Sequence, residues 1–252
     1  NLVGIPFFIM RGFRNRCILT SDDSPITALA DLRGKRIGLS GWQDSGNTWT
    51  RALLLEAGVP VDSIQWTLSR MTAADRIDPE RGKQFWDDRV VFHDPDETPL
   101  VDLLKEGKID AIFQAFMPAD FYSEGYGLRQ LQPDFVSQEK AWFGRAGFVP
   151  GIHILAMKAD FIAAHPEAPR QLCELLRASQ NLWLAKRRKY FETTPWLIAD
   201  LIDMAKSLPE DWDPVGLEPN RKMLDEFARQ QYLQKLTPVQ RDADFLFPVK
   251  TI

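Results

Sequence analysis

The 252-residue sequence has few of the residues that build covalent or metal-bound frameworks. Its two cysteines, Cys17 and Cys173, fit no metal-binding or redox spacing, so we expect buried free thiols, with a single disulfide as the open alternative. One loop groups potential metal ligands, namely His93, Asp94, Asp96 and Glu97. Acidic loops of this kind are usually solvated. We therefore predict no cofactor, and a divalent metal stays open without a motif that indicates it.

The sequence also lacks a strong positive charge and a long apolar run. The formal net charge is −4 and the isoelectric point is near 5.5, which argues against nucleic acid as a partner. Gly, Pro or charged residues interrupt every apolar stretch well before the ~20 residues of a membrane span. The opening NLVGIPFFIM shows no charged region or cleavage site of a signal peptide. These features predict no membrane insertion and a cytoplasmic location.

The composition that remains is that of a soluble globular protein. Hydrophobic residues make up 44% and charged residues 26% of a chain long enough for one large domain or two lobes. Short predicted strands alternate with predicted helices along the chain, which indicates an α/β fold.

The most informative stretch runs from Gly34 to Gly58 and reads strand, polar turn, helix. The strand is predicted over residues 35–39 and the helix over 48–57. The backbone N–H groups of the turn and the positive end of the helix dipole suit a carboxylate or a similar anion. The candidate ligand contacts are Trp42, Gln43, Ser45, Gly46 and Asn47. Alternatively, Ser45 or Asn47 acts only as a helix N-cap.

Basic and polar candidates lie outside this stretch. Arg11, Arg14 and Arg16 fall between two apolar segments, and an unpaired buried guanidinium is costly. They are candidate anion ligands, with a solvated surface loop as the alternative. Gln114 follows the predicted strand in residues 107–113, at the carboxyl end where ligands gather in α/β sheets.

The three histidines differ in context. His165 is expected to be structural and His93 to lie in an exposed polar turn. His153 falls within the predicted strand GIHIL. A histidine is the natural acid near pH 7, so His153 is the candidate proton donor or ligand contact, with a hydrogen-bonded core histidine as the alternative.

Two segments look like crossings between lobes: the one that leads into DLRGKRIGLS and the one that begins GIHILAMKADF. This arrangement resembles the type II periplasmic-binding-protein fold, in which two α/β lobes close on a ligand in the cleft between them. The resemblance implies one lobe from residues 22–150 and a discontinuous lobe from residues 1–21 and 151–252. The N-terminal strands of the discontinuous lobe are expected to be missing from this sequence.

Within that fold the chain resembles the 4,5-dihydroxyphthalate decarboxylase-like proteins. The matching pieces are RGFRN, DLRGKRIGLSGWQDSGNTWTRALL, EGKIDAIFQAFMP, GFVPGIHILAMKADFIAAHP and GLEPNRKMLDEFARQQYLQKL. The resemblance implies non-oxidative decarboxylation of an aromatic acid, with Arg14, and secondarily Arg11, holding the carboxylate and His153 supplying the proton. The family commonly has a histidine where this sequence has Asn15.

Two functions follow from this resemblance. The first is a decarboxylase of a dihydroxyphthalate-like acid. The second is the solute-binding protein of an ABC-type uptake transporter for a small organic anion, which would be periplasmic and have a permease as its partner. A sensor or biosynthetic enzyme on the same fold is a third hypothesis. Because function resides in the site, the fold does not choose among them.

Overall fold

The computed structural model describes residues 1–78, 80–85, 91–191 and 193–247. Its strands are β1 (Leu2–Arg11), β2 (Ile18–Ser21), β3 (Arg36–Leu39), β4 (Gln65–Leu68), β5 (Val91–His93), β6 (Ala111–Phe113), β7 (Leu128–Gln130) and β8 (Gly151–Lys158). Its α-helices are α1 (Ser45–Glu56), α2 (Leu100–Lys105), α3 (Phe135–Ala146), α4 (Ala159–Ala164), α5 (Ala168–Arg187), α6 (Leu197–Ser207), α7 (Arg221–Leu233) and α8 (Ala243–Leu246). The predicted α/β alternation is confirmed.

The chain forms two compact units, each built from separate stretches of sequence. Unit 1 comprises Asn1–Gly12, Phe143–Asp225 and Arg241–Ile252. Unit 2 comprises Phe13–Trp142 and Glu226–Gln240.

Unit 2 is organised around a six-stranded sheet with the order β5-β4-β3-β6-β2-β7. The strands β3, β4, β5 and β6 are parallel, whereas β2 runs antiparallel to both β6 and β7. The start of β2 therefore lies at the same edge as the carboxyl ends of β3 to β7. This edge collects the segment before β2, the turn before α1, Gln114 after β6 and the approach to α3.

The unit 2 sheet is covered by apolar side chains on both faces, because successive residues of a strand point to opposite sides. Ile18 and Phe113 belong to one buried cluster, while the adjacent Leu19 and Ile112 belong to the other. Trp66 is fully buried, and its ring meets that of Phe113 edge to face at 5.4 Å between centroids. The packed sheet thus fixes the backbone positions of the residues at its edge.

Unit 1 pairs β1 with β8 in a two-stranded antiparallel sheet that packs Ile5 and Phe7 against Cys173 of α5. Both cysteines of the protein are buried and free, as predicted. The helical pattern of residues 166–185 predicts a core-facing stripe of Leu172, Leu175, Leu176, Leu182 and Leu184. Leu176 packs against the cluster of Ile5, Phe7 and Cys173, but the prediction is wrong for Leu175 and Leu182, which are 69% and 66% exposed. Periodicity determines which residues share a helix face, but packing decides which face is buried.

Among the described residues, no helix combines the length and the apolar character needed to cross a membrane.

Candidate functional site

Arg14 lies at the sheet edge of unit 2, in the segment that leads to β2. The residue is only 5% exposed. One guanidinium nitrogen, Nη1, donates to Cys17 Sγ at 3.7 Å, and Nε has no hydrogen-bond partner among the described residues. A buried guanidinium with an unsatisfied donor is costly unless an anion pairs with it. The position of Arg14 therefore suits an anion ligand.

Gly46, in the first turn of α1, supports the guanidinium of Arg14. A Cβ atom at Gly46 would lie 2.9 Å from Arg14 Nη2 and 3.0 Å from Cζ, so only glycine permits this approach. The guanidinium is thereby held at the N-terminal end of a 12-residue helix, where backbone N–H groups and the helix dipole also favour negative charge.

The other residues of the turn are engaged in shaping it. The N-cap of α1 is Asp44, so Ser45 and Asn47 lie inside the helix rather than at the cap position predicted as their alternative role. Asn47 Nδ2 donates to the Gly41 carbonyl at 2.8 Å, which closes the turn. The side chain of Gln43 packs against Gly82, where an added Cβ would lie only 2.1 Å from Gln43 Oε1.

Trp42 lies in the core of unit 2. Its ring packs edge to face on Trp66 with 5.4 Å between centroids, and the guanidinium of Arg51 lies 4.2 Å above it. Contacts of Trp42 and Gln43 with a ligand stay a prediction.

Arg51 was not anticipated from the sequence, and it holds the turn from behind. The residue is fully buried, and burial lowers its pKa to about 9, with the charge of Asp44 opposing the shift. Its Nη2 donates to the Trp42 carbonyl and its Nε to Gln234 Oε1, both at 2.7 Å. Arg51 therefore ties the turn to the segment after α7.

Gln114 is brought to the Arg14 segment, in line with its predicted place at the carboxyl end of β6. Its backbone N–H donates to the Cys17 carbonyl at 2.7 Å. Asn15 is buried and donates from Nδ2 to Gln132 Oε1 at 3.0 Å. Unit 2 thus brings Gly46 against Arg14 and the backbone of Gln114 against Cys17, while the contact of Gln114 with a ligand stays a prediction.

Arg11 and His153 belong to unit 1. Each guanidinium nitrogen of Arg11 has a protein partner: Nε the carboxylate of Asp213, Nη1 the carbonyl of Val149, and Nη2 the carbonyl of Pro214 and the amide of Asn220. His153 is an exposed residue of β8, paired with Met10 across the two-stranded sheet. Their roles in binding and proton transfer stay predictions.

Glu139, in α3 of unit 2, is a titratable residue that sequence reasoning missed. Its Oε1 is buried without a hydrogen-bond partner among the described residues. Burial raises the pKa of Glu139 to about 7, while the backbone N–H of Arg16 and the charges of Arg16 and Arg14 oppose the shift. No local motif marks this glutamate, because its burial and its arginine neighbours arise from chain folding.

The predicted acidic loop is organised by its own backbone. The Asp94 carboxylate accepts hydrogen bonds from the backbone N–H groups of Asp96 and Thr98 at 3.3 and 2.8 Å. Within the described ranges, no three His, Cys, Asp or Glu residues are grouped in a way that would hold a metal ion.

A concave region of about 640 Å³ is lined by Gln84 and six residues between Tyr232 and Pro238, and includes none of the predicted site residues.

Comparisons with known proteins bear on this site. A family model described as NMT1/THI5 like matches residues 13–79, which include Arg14 and α1. A 4,5-dihydroxyphthalate decarboxylase of Comamonas testosteroni is 24% identical over 239 residues, which cover 93% of this chain and 72% of that protein. This chain is a sequence relative of 4,5-dihydroxyphthalate decarboxylases. The resemblance inferred from the motifs is confirmed. A second such decarboxylase, from Pseudomonas putida, is 30% identical over 120 residues, which cover 47% of this chain and 46% of that protein.

Solved structures agree on the fold. The desulfurization enzyme DSZB, as a cysteine-to-serine mutant in complex with biphenyl-2-sulfinic acid, aligns with a TM-score of 0.50 and 16% identity, covering 99% of this chain and 77% of that one. The alkanesulfonate-binding protein SsuA from Xanthomonas axonopodis pv. citri, bound to MOPS, aligns with a TM-score of 0.48 and 14% identity, covering 98% and 73% of the two chains. The chain thus shares its α/β fold with DSZB.

Proposed function

We propose that this protein binds a small aromatic carboxylate and decarboxylates a dihydroxyphthalate-like acid without an oxidant. The observation that carries the proposal is the guanidinium of Arg14, buried against the first turn of α1 with a donor unsatisfied among the described residues. The names of the two curated relatives supply the substrate class.

Arg14 suits a carboxylate for a geometric and an energetic reason. The planar fork of a guanidinium matches the two oxygens of a carboxylate, and charge-assisted hydrogen bonds of this kind are roughly twice as strong as neutral ones. The N-terminal end of α1 adds favourable dipoles on the same side. A bound carboxylate would thus supply the partner that the buried Nε lacks within unit 2.

The reaction breaks the bond between the ring and one carboxylate. Carbon dioxide leaves, the electron pair of that bond stays on the ring carbon, and a proton replaces the lost group there. The site must therefore hold a carboxylate, which we assign to Arg14 with Gln114 as a polar contact, and provide an acid. From the sequence, His153 is the proposed donor of that proton.

The first test is incubation of the purified protein with 4,5-dihydroxyphthalate, with and without a divalent metal, while carbon dioxide release and the heat of binding are measured. We expect both signals from the native protein. His153→Ala should retain binding and lose turnover, whereas His165→Ala, which also replaces an exposed histidine, should retain both.

Other outcomes would redirect the proposal. Binding without release would indicate a receptor for aromatic acids, with a periplasmic location and a permease as its partner. If neither signal appears, the ligand class is wrong. Unchanged turnover in His153→Ala would remove that residue from the mechanism.

A further inference from the structure

Glu139 is a half-buried residue whose carboxyl oxygen Oε1 is buried, and the proposed reaction does not yet use it. It lies on α3 in unit 2, and its Oε1 has no hydrogen-bond partner among the described residues. The charged groups that act on it are Arg14 and Arg16, together with the backbone N–H of Arg16. The residue therefore shares the electrostatic environment of the Arg14 guanidinium.

This environment makes the charge of Glu139 adjustable near neutral pH. Burial raises the pKa of Glu139 from about 4.5 to about 7 despite the nearby arginines. The folded protein thus binds this proton more tightly than the unfolded chain does. The sign follows from linkage: the contribution of Glu139 to the free energy of unfolding decreases as pH rises from about 4.5 through about 7.

An anion that binds at Arg14 adds negative charge close to Glu139. The negative charge of the ligand disfavours the ionised form of Glu139. The ligand also neutralises the positive charge of Arg14, which otherwise stabilises the ionised form of Glu139. If Glu139 stayed ionised, the charge of Arg14 would act on two carboxylates. If Glu139 is protonated, the ligand neutralises Arg14 and the glutamic acid O–H becomes a hydrogen-bond donor.

We propose that binding of an aromatic carboxylate at Arg14 is coupled to the uptake of a proton by Glu139, whose neutral side chain donates a hydrogen bond to the bound carboxylate. The coupling rests on the proposed carboxylate site, but it requires binding alone and no turnover. It makes the ligand affinity dependent on pH in a range where phthalate keeps both of its carboxylates ionised.

The test is calorimetric binding of phthalate at pH 7 and pH 8 in buffers with different ionisation enthalpies. Since Glu139 is about half protonated at pH 7 before binding, we expect an uptake of about half a proton per phthalate at that pH. The affinity should be about fivefold lower at pH 8 than at pH 7, because less of the free protein then carries the proton.

Glu139→Gln separates this coupling from other sources of proton uptake. The amide keeps a hydrogen-bond donor at the same place and does not titrate, so phthalate should bind with equal affinity at both pH values and without proton uptake. Glu106→Gln is the matched control, because Glu106 is exposed and paired with Lys108. It should behave like the native protein.

A titration of the native protein guards against misfolding of the variant. Carbon-13 NMR of glutamate-labelled protein should show one carboxyl group that titrates near pH 7 and shifts to higher pH when phthalate is added. Proton uptake that persists unchanged in a folded Glu139→Gln variant would overturn the inference and leave the carboxylate site standing. Glu139-dependent uptake with phthalate, together with no carbon dioxide release from 4,5-dihydroxyphthalate, would instead overturn the decarboxylase and support the coupling. Absence of phthalate binding at both pH values would overturn both.

Discussion

Arg11 in unit 1 and Arg14 in unit 2 are three residues apart, yet their surroundings differ completely. Each nitrogen of Arg11 is paired with the protein, and its guanidinium also lies 4.5 Å from the centre of the Phe8 ring. Burial lowers the pKa of Arg11, while the charge of Asp213 offsets part of that shift. The guanidinium of Arg14 lies against Gly46, and its Nη1 donates to the thiol of Cys17. Its Nε has no hydrogen-bond partner among the described residues.

This contrast predicts a structural role for Arg11 and supports the proposed ligand-binding role of Arg14. A guanidinium whose donors are all satisfied stabilises the packing around it and has little left to offer a ligand. A buried guanidinium without a carboxylate partner weakens the folded state unless a bound anion compensates it. The donor partners of an arginine, more than its burial, therefore indicate its role.

The largest expected effect is the loss of stability in Arg11→Met. This change removes the charged partner of Asp213 Oδ1 and the side-chain donor of the Val149 carbonyl. Asp213 Oδ2 keeps Gln180 as a donor, and the Pro214 carbonyl keeps Asn220. Removing one partner of a buried ion pair costs about 3–5 kcal/mol, so urea unfolding followed by circular dichroism should show a loss of that order. Arg170→Met, which breaks an exposed pair with Glu174, should cost less than about 1 kcal/mol. Equal losses in both variants would contradict a structural role for Arg11.

Arg14→Met should show the opposite pattern. The phthalate affinity should fall about 100-fold or more, since truncating one partner of a buried charge pair costs about 2–5 kcal/mol. The free energy of unfolding should stay the same or rise, because an apolar side chain of similar size replaces an unpaired buried charge. Arg33→Met, an exposed change in the same unit, is the control and should keep full affinity. An unstable Arg14→Met with native affinity would reverse the assignment of the two arginines.

Gly46→Ala sharpens the comparison with a smaller change. The new Cβ would meet Arg14 Nη2 at 2.9 Å and displace the guanidinium, so we expect about a tenfold loss of phthalate affinity, or about 1.4 kcal/mol. Gly144→Ala in α3 has open space around its Cβ position. Both changes remove a helical glycine, which stabilises a helix by about 0.5–1 kcal/mol. A similar calorimetric affinity for the two variants would show that contact with Gly46 does not position Arg14.

Much of the α/β framework was predictable, because it depends on local pattern. The strand predicted over residues 35–39 and the helix predicted over residues 48–57 are present at 36–39 and 45–56. Gln114 also lies at the predicted edge, since the carboxyl ends of parallel strands meet at one side of a sheet. Arg14 was a candidate because three arginines between apolar segments needed partners.

The residues that were missed owe their properties to distant parts of the chain. Glu139 has a raised pKa only because α3 buries it near the segment before β2. Arg51 is positioned by Gln234, which is 183 residues away. The exposure of Leu175 and Leu182 likewise depends on which face of α5 packs, and helical periodicity carries no information on that choice.

The sequence by itself thus determined the order of strands and helices and the relationship to decarboxylases. These depend on residue type and spacing, which act over a few positions. The tertiary structure alone decided that each guanidinium nitrogen of Arg11 has a protein partner while Arg14 Nε has none among the described residues, and that burial raises the pKa of Glu139 to about 7. Desolvation and hydrogen-bond pairing depend on the atoms that folding brings around a side chain, and local sequence does not specify them.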